Sequence, residues 1–145
     1  MRLTQFSDYS LRVLLYLGQC NDRLATIAEI AEWYGVSKAH LVKVVHKLAT
    51  LGYVSTVQGK GGGVRLGKPA NEITVAQVIR DTEPDFHTVE CFAVKANTCR
   101  VTSTCRLKHV LREATEAFQD TLGRYSLADI ANPTQTNFIN QRSEQ

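Results

Sequence analysis

The stretch 26–50, TIAEIAEWYGVSKAHLVKVVHKLAT, predicts two helices joined by a short turn. Thr26 and Glu29 form a capping box that begins the first helix, which ends near Tyr34. Gly35 interrupts the helical pattern, and Ser37 is placed to cap the second helix. Two helices separated by a turn of about four residues that contains glycine form a helix-turn-helix. The buried face of the second helix has four apolar residues at helical spacing: Leu41, Val44, Val45 and Leu48.

The second helix is the one expected to read DNA. In helix-turn-helix proteins the N-terminal part of this recognition helix usually reaches the base edges. Lysine can contact guanine or phosphate, and valine can contact the methyl group of thymine. An amphipathic helix with solvated lysines is the competing interpretation from this helix alone. The candidate DNA contacts lie near the helix N-terminus or point away from the buried face: Lys38, Ala39, His40, Val42, Lys43 and His46.

A β-hairpin after the two helices favours the DNA-binding interpretation. Residues 53–57 (YVSTV) are β-prone, residues 64–66 (VRL) resume the strand pattern, and QGKGGG lies between them. Beside a helix-turn-helix such a hairpin is a wing, and we expect Lys60 and Arg65 to contact phosphates or the minor groove. The glycines do not predict a nucleotide-binding loop, because no Ser or Thr follows Lys60 and the upstream glycine spacing is wrong.

Composition and charge limit the class of protein. The chain has 145 residues and 43% hydrophobic content, enough for one domain or for a small domain with an appendage. It has no run of about 18 apolar residues, so we expect no membrane span. Asp8 and Arg12 interrupt any signal-like apolar stretch, and a cytoplasmic protein with reduced thiols is expected. Residues 1–70 hold nine Lys and Arg against four Asp and Glu, a balance that suits a polyanionic partner.

A helix from about residue 4 to residue 19 is expected before the helix-turn-helix. Cys20 continues its apolar face, so a buried structural thiol is the expected role of this cysteine. The face is formed by residues three and four apart: Phe6, Tyr9, Val13, Leu17 and Cys20.

The C-terminal half predicts a helical dimerisation element. Thr74 and Gln77 form a second capping box, for a helix that Pro84 ends. A long helix then runs from about residue 103 or 105 to Leu122 and stops at Gly123. Its apolar stripe needs a covering surface, which a second copy of the chain supplies most simply; packing within its own domain is the alternative. The stripe consists of Leu107, Val110, Leu111, Ala114, Phe118 and Leu122.

These elements divide the chain into three parts and predict a mainly α fold with a small β-hairpin wing. Residues 1–83 are expected to form a winged helix-turn-helix domain. Residues 84–130 are expected to form a ligand-binding loop and the dimerisation helix, and residues 131–145 a polar tail. A dimer of such domains reads two half-sites, so a palindromic operator in double-stranded DNA is the expected partner.

Three cysteines lie in one segment that lacks helical or strand periodicity, Cys91-x7-Cys99-x5-Cys105. Thiolates are soft ligands that select zinc, copper(I) or iron–sulfur clusters. Three of them leave one coordination position to fill. Attached to a DNA-binding domain, these thiols predict a sensor whose metal centre sets the affinity for a promoter.

The chain resembles the bacterial winged-helix iron–sulfur regulators, a family that includes NsrR and IscR. Within that family it is more similar to the NsrR-like members, which are nitric-oxide-sensing repressors. The resemblance runs from Leu3 to about Ile130. It rests on these motifs in this order: Leu3-Thr4-x-Phe6-x-Asp8-Tyr9-x-Leu11-Arg12, Tyr34-Gly35-Val36-Ser37-Lys38-x-His40-Leu41-x-Lys43, Gly59-Lys60-Gly61-Gly62-Gly63-x-Arg65-Leu66, Val89-Glu90-Cys91, Cys99, Cys105-Arg106-Leu107 and Ser126-Leu127-Ala128-Asp129.

The resemblance implies an iron–sulfur cluster held by Cys91, Cys99 and Cys105. In NsrR-like members an aspartate near the N-terminus of the partner subunit completes a [4Fe–4S] cluster, and Asp8 matches that aspartate. Position alone explains Asp8 as a carboxylate in a first helical turn, where the helix dipole favours it.

A different ligand set belongs to the IscR-like members. They hold a [2Fe–2S] cluster with a histidine three residues after the third cysteine, and here that residue is Lys108. Charged lysine cannot replace that ligand, and the resemblance to the NsrR-like members implies [4Fe–4S] rather than [2Fe–2S]. His109 is interpreted as a surface or interface residue, and His87 is a weaker ligand candidate still.

The function implied by the resemblance is that of a dimeric cytoplasmic repressor whose cluster, when nitrosylated by nitric oxide, lowers DNA affinity. Three other regulators remain open: an IscR-like regulator of iron–sulfur biogenesis, a zinc-stabilised DNA-binding protein and a thiol-based redox sensor. The sequence has no acid/base pair or nucleophile–base motif, so no catalytic activity is expected.

Overall fold

Five α-helices and one β-hairpin make up the part of the chain that the computed structural model describes: residues 2–21 and 23–132, with Thr134 and Ile139. Two short 3-10 turns, Ala70–Glu72 and Glu90–Phe92, lie between them. The predicted mainly α fold with a hairpin wing is confirmed. In chain order the elements are α1 (Gln5–Gly18), α2 (Ile27–Tyr34), α3 (Lys38–Thr50), β1 (Val54–Val57), β2 (Gly63–Leu66), α4 (Val75–Thr82) and α5 (Arg106–Gly123).

The helix-turn-helix is formed by α2 and α3. The Thr26 hydroxyl accepts a hydrogen bond from the Glu29 N–H at 3.1 Å, and Glu29 accepts in return from the Thr26 N–H, so the predicted capping box is confirmed. Gly35 adopts φ 63°, a left-handed conformation that ends α2 at low steric cost. Ser37 occupies the N-cap position of α3, but its hydroxyl makes no capping hydrogen bond, so that part of the prediction was wrong.

The hydrophobic core lies where α1 packs against the other helices and the hairpin. Helix α1 contacts α2, α3, α4 and β2. Cys20 is buried at the end of this face, as predicted, and burial raises the pKa of its thiol to about 11. The largest fully buried side chains of the core include Leu14 and Tyr16 from α1, Ile30 from α2, and Leu41 and Leu48 from α3.

The wing is a two-stranded antiparallel sheet in which Val54 faces Leu66 and Val57 faces Gly63. Val64 is buried and also pairs with Ala25, through hydrogen bonds of 2.8 and 2.9 Å. This bridge fixes the wing to the strand-like segment that leads into α2. The wing is therefore held against the helix-turn-helix at its base, while its glycine-rich tip projects from it.

A polar cluster joins α1 to α2 beneath the helix-turn-helix. The Glu29 carboxylate pairs with Arg23 at 2.7 Å and accepts a hydrogen bond from the Tyr16 hydroxyl. Burial alone would raise the pKa of Glu29, but the hydrogen bonds from Arg23 and Tyr16 outweigh it and lower that pKa. These polar contacts therefore hold the start of α2 against α1.

The first turn of α1 is attached to the end of α4. The Glu83 carboxylate accepts from the Thr4 N–H at 2.7 Å, and the Thr82 hydroxyl donates to Ser7 at 2.9 Å. Thr4 also caps α1. Because Pro84 and the cysteine segment follow at once, the chain enters that segment from a fixed point beside α1.

The last helix, α5, is mostly uncovered within one chain. It packs against α4, yet none of its residues is fully buried. Leu107 and Val110 of the predicted stripe are 62% and 60% exposed. Gly123 lies inside α5, and Arg124 follows as a C-cap with ordinary right-handed backbone, so the predicted glycine stop was one residue early.

The chain after α5 returns to the core. Leu127 is buried and its N–H donates to the Ile73 carbonyl at 2.9 Å. Ser126 and Asp129 hydrogen-bond each other in a turn. Most of the expected polar tail, 131–145, lies outside the described residues, but Ile139 is fully buried. Among the described helices, none combines the length and hydrophobicity needed to cross a membrane.

Glu29→Ala should lower the free energy of unfolding by about 2 kcal/mol, because it removes hydrogen bonds to a charged group at the α1–α2 junction. The folded-state pKa of Glu29 lies below its ordinary 4.5, so the contribution is present above that pH and is lost as pH falls through the folded-state pKa. Urea unfolding at pH 7 and at about pH 3 measures both effects. Glu72→Ala, at an exposed position, is the control. A wild-type-to-variant difference that is the same at both pH values would contradict this account.

Candidate nucleic-acid interface and thiol segment

The candidate DNA-contacting side chains lie on the surface, where ligands can reach them. On α3 the four apolar positions Leu41, Val44, Val45 and Leu48 are buried, and every position proposed to contact DNA is exposed. Lys60 is exposed at the wing tip, and Arg65 is exposed on the face of β2 opposite buried Val64. The fold therefore presents α3 and the wing with their polar and basic side chains outward.

His40, at the start of α3, also contacts α1. Its ring lies 6.3 Å from the ring of Tyr9, at an interplanar angle of 36°. Tyr9 belongs to the first half of α1, one residue after Asp8. The N-terminal end of the recognition helix is thus in direct contact with the helix that carries Asp8.

Arg12 makes a second connection from the same turn. Its guanidinium pairs with the Asp8 carboxylate at 2.9 Å and lies 5.8 Å from the ring centres of Tyr9 and Tyr34. Tyr34 is the last residue of α2, next to the turn of the helix-turn-helix. Burial raises the pKa of the Tyr34 hydroxyl to about 12. Arg12 therefore links the Asp8 carboxylate to both aromatic rings.

Asp8 is the candidate fourth ligand, and its carboxylate is accessible. Its side chain is 45% exposed, and both of its oxygens contact Arg12, four residues along the same helix. A metal ion that takes this carboxylate must compete with or share the Arg12 guanidinium.

The three candidate ligand thiols are free but not grouped. Cys91 and Cys105 are half-buried and Cys99 is exposed. No three His, Cys, Asp or Glu side chains of the described chain converge closely enough to hold a metal ion. Their chemistry fits a soft metal centre, since three reduced thiols lie on one segment and are open to solvent. Ligation requires that segment to draw them together.

Polar hydrogen bonds organise the cysteine segment. The Glu90 carboxylate accepts from the backbone N–H of Thr98 and, at 2.7 Å, from its hydroxyl, and these bonds lower the pKa of Glu90. The Cys99 N–H donates to Asn97 at 3.0 Å, and the Thr102 hydroxyl donates to the Cys99 carbonyl at 2.8 Å. The segment is therefore a loop whose shape is supported by its own hydrogen bonds.

The two ends of this segment are attached to α5. Cys105 is the N-cap residue of α5, at the electropositive end of the helix, which suits an anionic thiolate. Near the other end, the Phe92 ring lies 5.9 Å from the guanidinium of Arg112 on α5. The loop is therefore in contact at both ends with the helix that carries the uncovered apolar stripe.

The two histidines considered as ligands are both exposed. His109 is exposed on α5, and His87 lies 3.6 Å from Asp85 near the surface. Sequence reasoning did not identify the hydrogen bonds of Glu90 or the contacts of Arg12 with Tyr34. The available signal was their position: Glu90 precedes Cys91, and Arg12 follows Asp8 by one helical turn.

Comparison with known proteins places these features in a family. Residues 3–133 match Rrf2, described as an iron-dependent transcriptional regulator. The HTH-type transcriptional regulator NsrR of Bacillus subtilis (strain 168) is 47% identical over 131 residues, 90% of each chain. The protein of the same name from Bacillus licheniformis is 49% identical over 131 residues, 90% of this chain and 92% of that one. The predicted resemblance to the winged-helix regulators that include NsrR is confirmed.

A solved structure has the same fold. The oxidized form of Staphylococcus aureus CymR superposes with a TM-score of 0.74, over 91% of this chain and 97% of that one, at 24% identity. The family match covers nearly all of the described chain, and the relatives' names agree with a role in transcription rather than catalysis. The chain belongs to the Rrf2 family of transcriptional regulators, and it is not an enzyme.

Proposed function

We propose that the chain is a homodimeric repressor that binds a palindromic operator and senses nitric oxide through an iron–sulfur cluster. Cys91, Cys99 and Cys105 of one subunit hold the cluster, and Asp8 of the partner subunit completes it; [4Fe–4S] is favoured. The support is the thiol segment, the 47–49% identity to regulators named NsrR, and the lack of the IscR-type histidine at position 108.

One observation carries the regulatory part of this proposal. The turn of α1 that bears Asp8 contacts both helices of the helix-turn-helix, through Tyr9 with His40 and through Arg12 with Tyr34. A bond made or broken at Asp8 therefore acts at the N-terminal end of the recognition helix, with no intervening flexible segment.

Dimerisation brings the ligands of two chains together. In the proposed dimer the uncovered stripe of α5 packs against a second copy, which removes Leu107 and Val110 from water. The cysteine segment precedes α5 directly, so it lies at this interface and faces the partner subunit. The two recognition helices then have a fixed separation, which must match the spacing of the two half-sites in a palindromic operator.

Release of Asp8 is the proposed switch. When bound, the cluster would supply iron that can react with nitric oxide and exchange its ligands. A carboxylate is a hard ligand among soft thiolates and is the one expected to leave first. A released Asp8 pairs with Arg12, as it does in the single chain. The first turn of α1 is then free of the partner, and the half-site separation changes. A hundredfold loss of affinity corresponds to about 2.7 kcal/mol of coupling, within the usual range.

Lys43→Ala and Arg65→Ala should each weaken operator binding without loss of visible absorbance, because α3 and the wing present these cations outward. If Arg65 neutralises one phosphate, its removal should lower the salt slope of log K by about 1. The measurement is anisotropy of a labelled duplex, selected from a random pool by the cluster-loaded protein. Arg124→Ala removes an equal charge outside the winged domain and serves as control. Wild-type affinity in both variants would show that α3 and the wing are not the reading surface.

Cys91→Ala, Cys99→Ala and Cys105→Ala should each lose the visible absorbance of the anaerobically reconstituted protein, whereas Cys20→Ala should keep it. The first three thiols are half-buried or exposed, while Cys20 is buried in the core with a pKa of about 11, unsuited to act as a thiolate ligand. Iron and sulfide counts with visible spectra provide the measurement. A folded but colourless Cys20→Ala protein would overturn this division of roles.

Asp8→Ala should still assemble a cluster on three cysteines, but the cluster should be more labile and operator affinity should fall. His109→Ala should change neither property, because the histidine position of the IscR-like members is occupied here by Lys108 and His109 lies one residue later. Both variants are compared anaerobically for the rate of cluster loss and for operator affinity. Cluster loss in His109→Ala together with a stable cluster in Asp8→Ala would reverse the assignment of the fourth ligand.

A further inference from the structure

The Glu90 carboxylate joins the two ends of the loop between Cys91 and Cys99, the first two candidate ligands. Glu90 immediately precedes Cys91, and Thr98 immediately precedes Cys99. The Oε1 atom of Glu90 accepts two hydrogen bonds from Thr98, one from the backbone N–H and one from the hydroxyl at 2.7 Å. The bonds therefore join the residues before the two thiols.

The neighbouring hydrogen bonds extend this arrangement past the second thiol. Both backbone polar groups of Cys99 are engaged, the N–H by Asn97 at 3.0 Å and the carbonyl by Thr102 at 2.8 Å. Asn97 and Thr102 also bond each other, at 2.9 Å. The backbone of Cys99 is thus held on both sides, and Glu90 connects this unit to Cys91.

Apolar packing does not explain the shape of the loop. Val94, within the closed stretch, is 89% exposed, and Val101 beyond it is also exposed. Glu90 itself is exposed and does not contribute to the core. The polar bonds made by Glu90, Asn97 and Thr102 support the shape of this part of the segment, together with backbone hydrogen bonds within 89–96.

We propose that Glu90 is a positioning residue for metal binding: by bonding Thr98 it fixes where Cys91 lies relative to Cys99, so that both thiols engage the same cluster. The proposal rests on the iron–sulfur function proposed above. Residues that orient metal ligands from outside the ligand set commonly change metal affinity by about 10- to 100-fold when removed.

The hydrogen bonds, and not the charge, are the useful property of Glu90. A carboxylate beside three anionic thiolates adds like-charge repulsion, which opposes ligand assembly. Glu90→Gln keeps an amide oxygen that can accept from the Thr98 N–H and hydroxyl, and it removes the charge. Glu90→Ala removes both. Thr98→Val keeps the N–H donor but deletes the hydroxyl, and so removes half of the contact.

The test compares these variants after anaerobic reconstitution with iron and sulfide. The rate at which an iron chelator bleaches the visible absorbance should rise about tenfold in Glu90→Ala. The rate should rise less in Thr98→Val and stay near the wild-type value in Glu90→Gln. The control Glu72→Ala, which removes an exposed carboxylate from another part of the chain, should match wild type. The thermal midpoint of the cluster-free protein should be the same in all variants, because Glu90 lies outside the core.

A second measurement uses the cluster-free protein. Amide hydrogen exchange over 90–105 should be faster in Glu90→Ala than in wild type or Glu90→Gln, because the Thr98 N–H loses its acceptor. If Glu90→Gln bleaches as fast as Glu90→Ala, the charge matters and the positioning proposal is overturned. Wild-type bleaching and exchange in Glu90→Ala would overturn it as well. If wild-type protein itself takes up no cluster, the proposed iron–sulfur function is wrong. That result differs from the two outcomes that overturn the role of Glu90 alone.

Discussion

The burial of α1 is the constraint on which the rest of the structure depends. Its apolar face packs against the helix-turn-helix, α4 and the wing strand, so α1 cannot shift alone. The N-terminal end of α1 is held by Glu83, at the end of α4, from which the chain continues into the cysteine segment. The first turn of α1 presents Asp8. Arg12 pairs with Asp8 and contacts Tyr34, and Tyr9, next to Asp8, contacts His40. A tightly packed helix transmits a displacement better than a flexible linker does.

The cysteine segment has the opposite character. Its thiols are half-buried or exposed, and the bonds that shape it are mainly polar contacts at the surface. Segments with few buried apolar contacts open at low free-energy cost, which suits a site that must close around a ligand. Cys105 ends the segment at the first turn of α5, whose apolar stripe is uncovered in one chain. Ligand binding and dimer formation are therefore expected to be coupled.

Local patterns were enough to predict the fold. Capping boxes at Thr26 and Thr74, and apolar spacing along α1, α3 and α5, are short-range signals, and they located the helices to within a residue or two. Exposure of the basic α3 and wing residues followed from the same periodicity. The pairing of Arg12 with Tyr34 and of Glu90 with Thr98 was not predictable, because it depends on tertiary geometry. The separation of the three thiols was not predicted either. Their spacing in the sequence shows which ligands are available but not how far apart the fold places them.

In the proposed mechanism the cluster on the three cysteines, through Asp8 of the partner subunit, holds the dimer in its DNA-binding form. The most direct test is one anaerobic titration of the cluster-loaded protein with nitric oxide, on a labelled duplex selected from a random pool. Visible absorbance and fluorescence anisotropy are recorded together. We expect the cluster absorbance and the bound fraction of DNA to fall in parallel. DNA that stays fully bound after the cluster spectrum has been lost would contradict it.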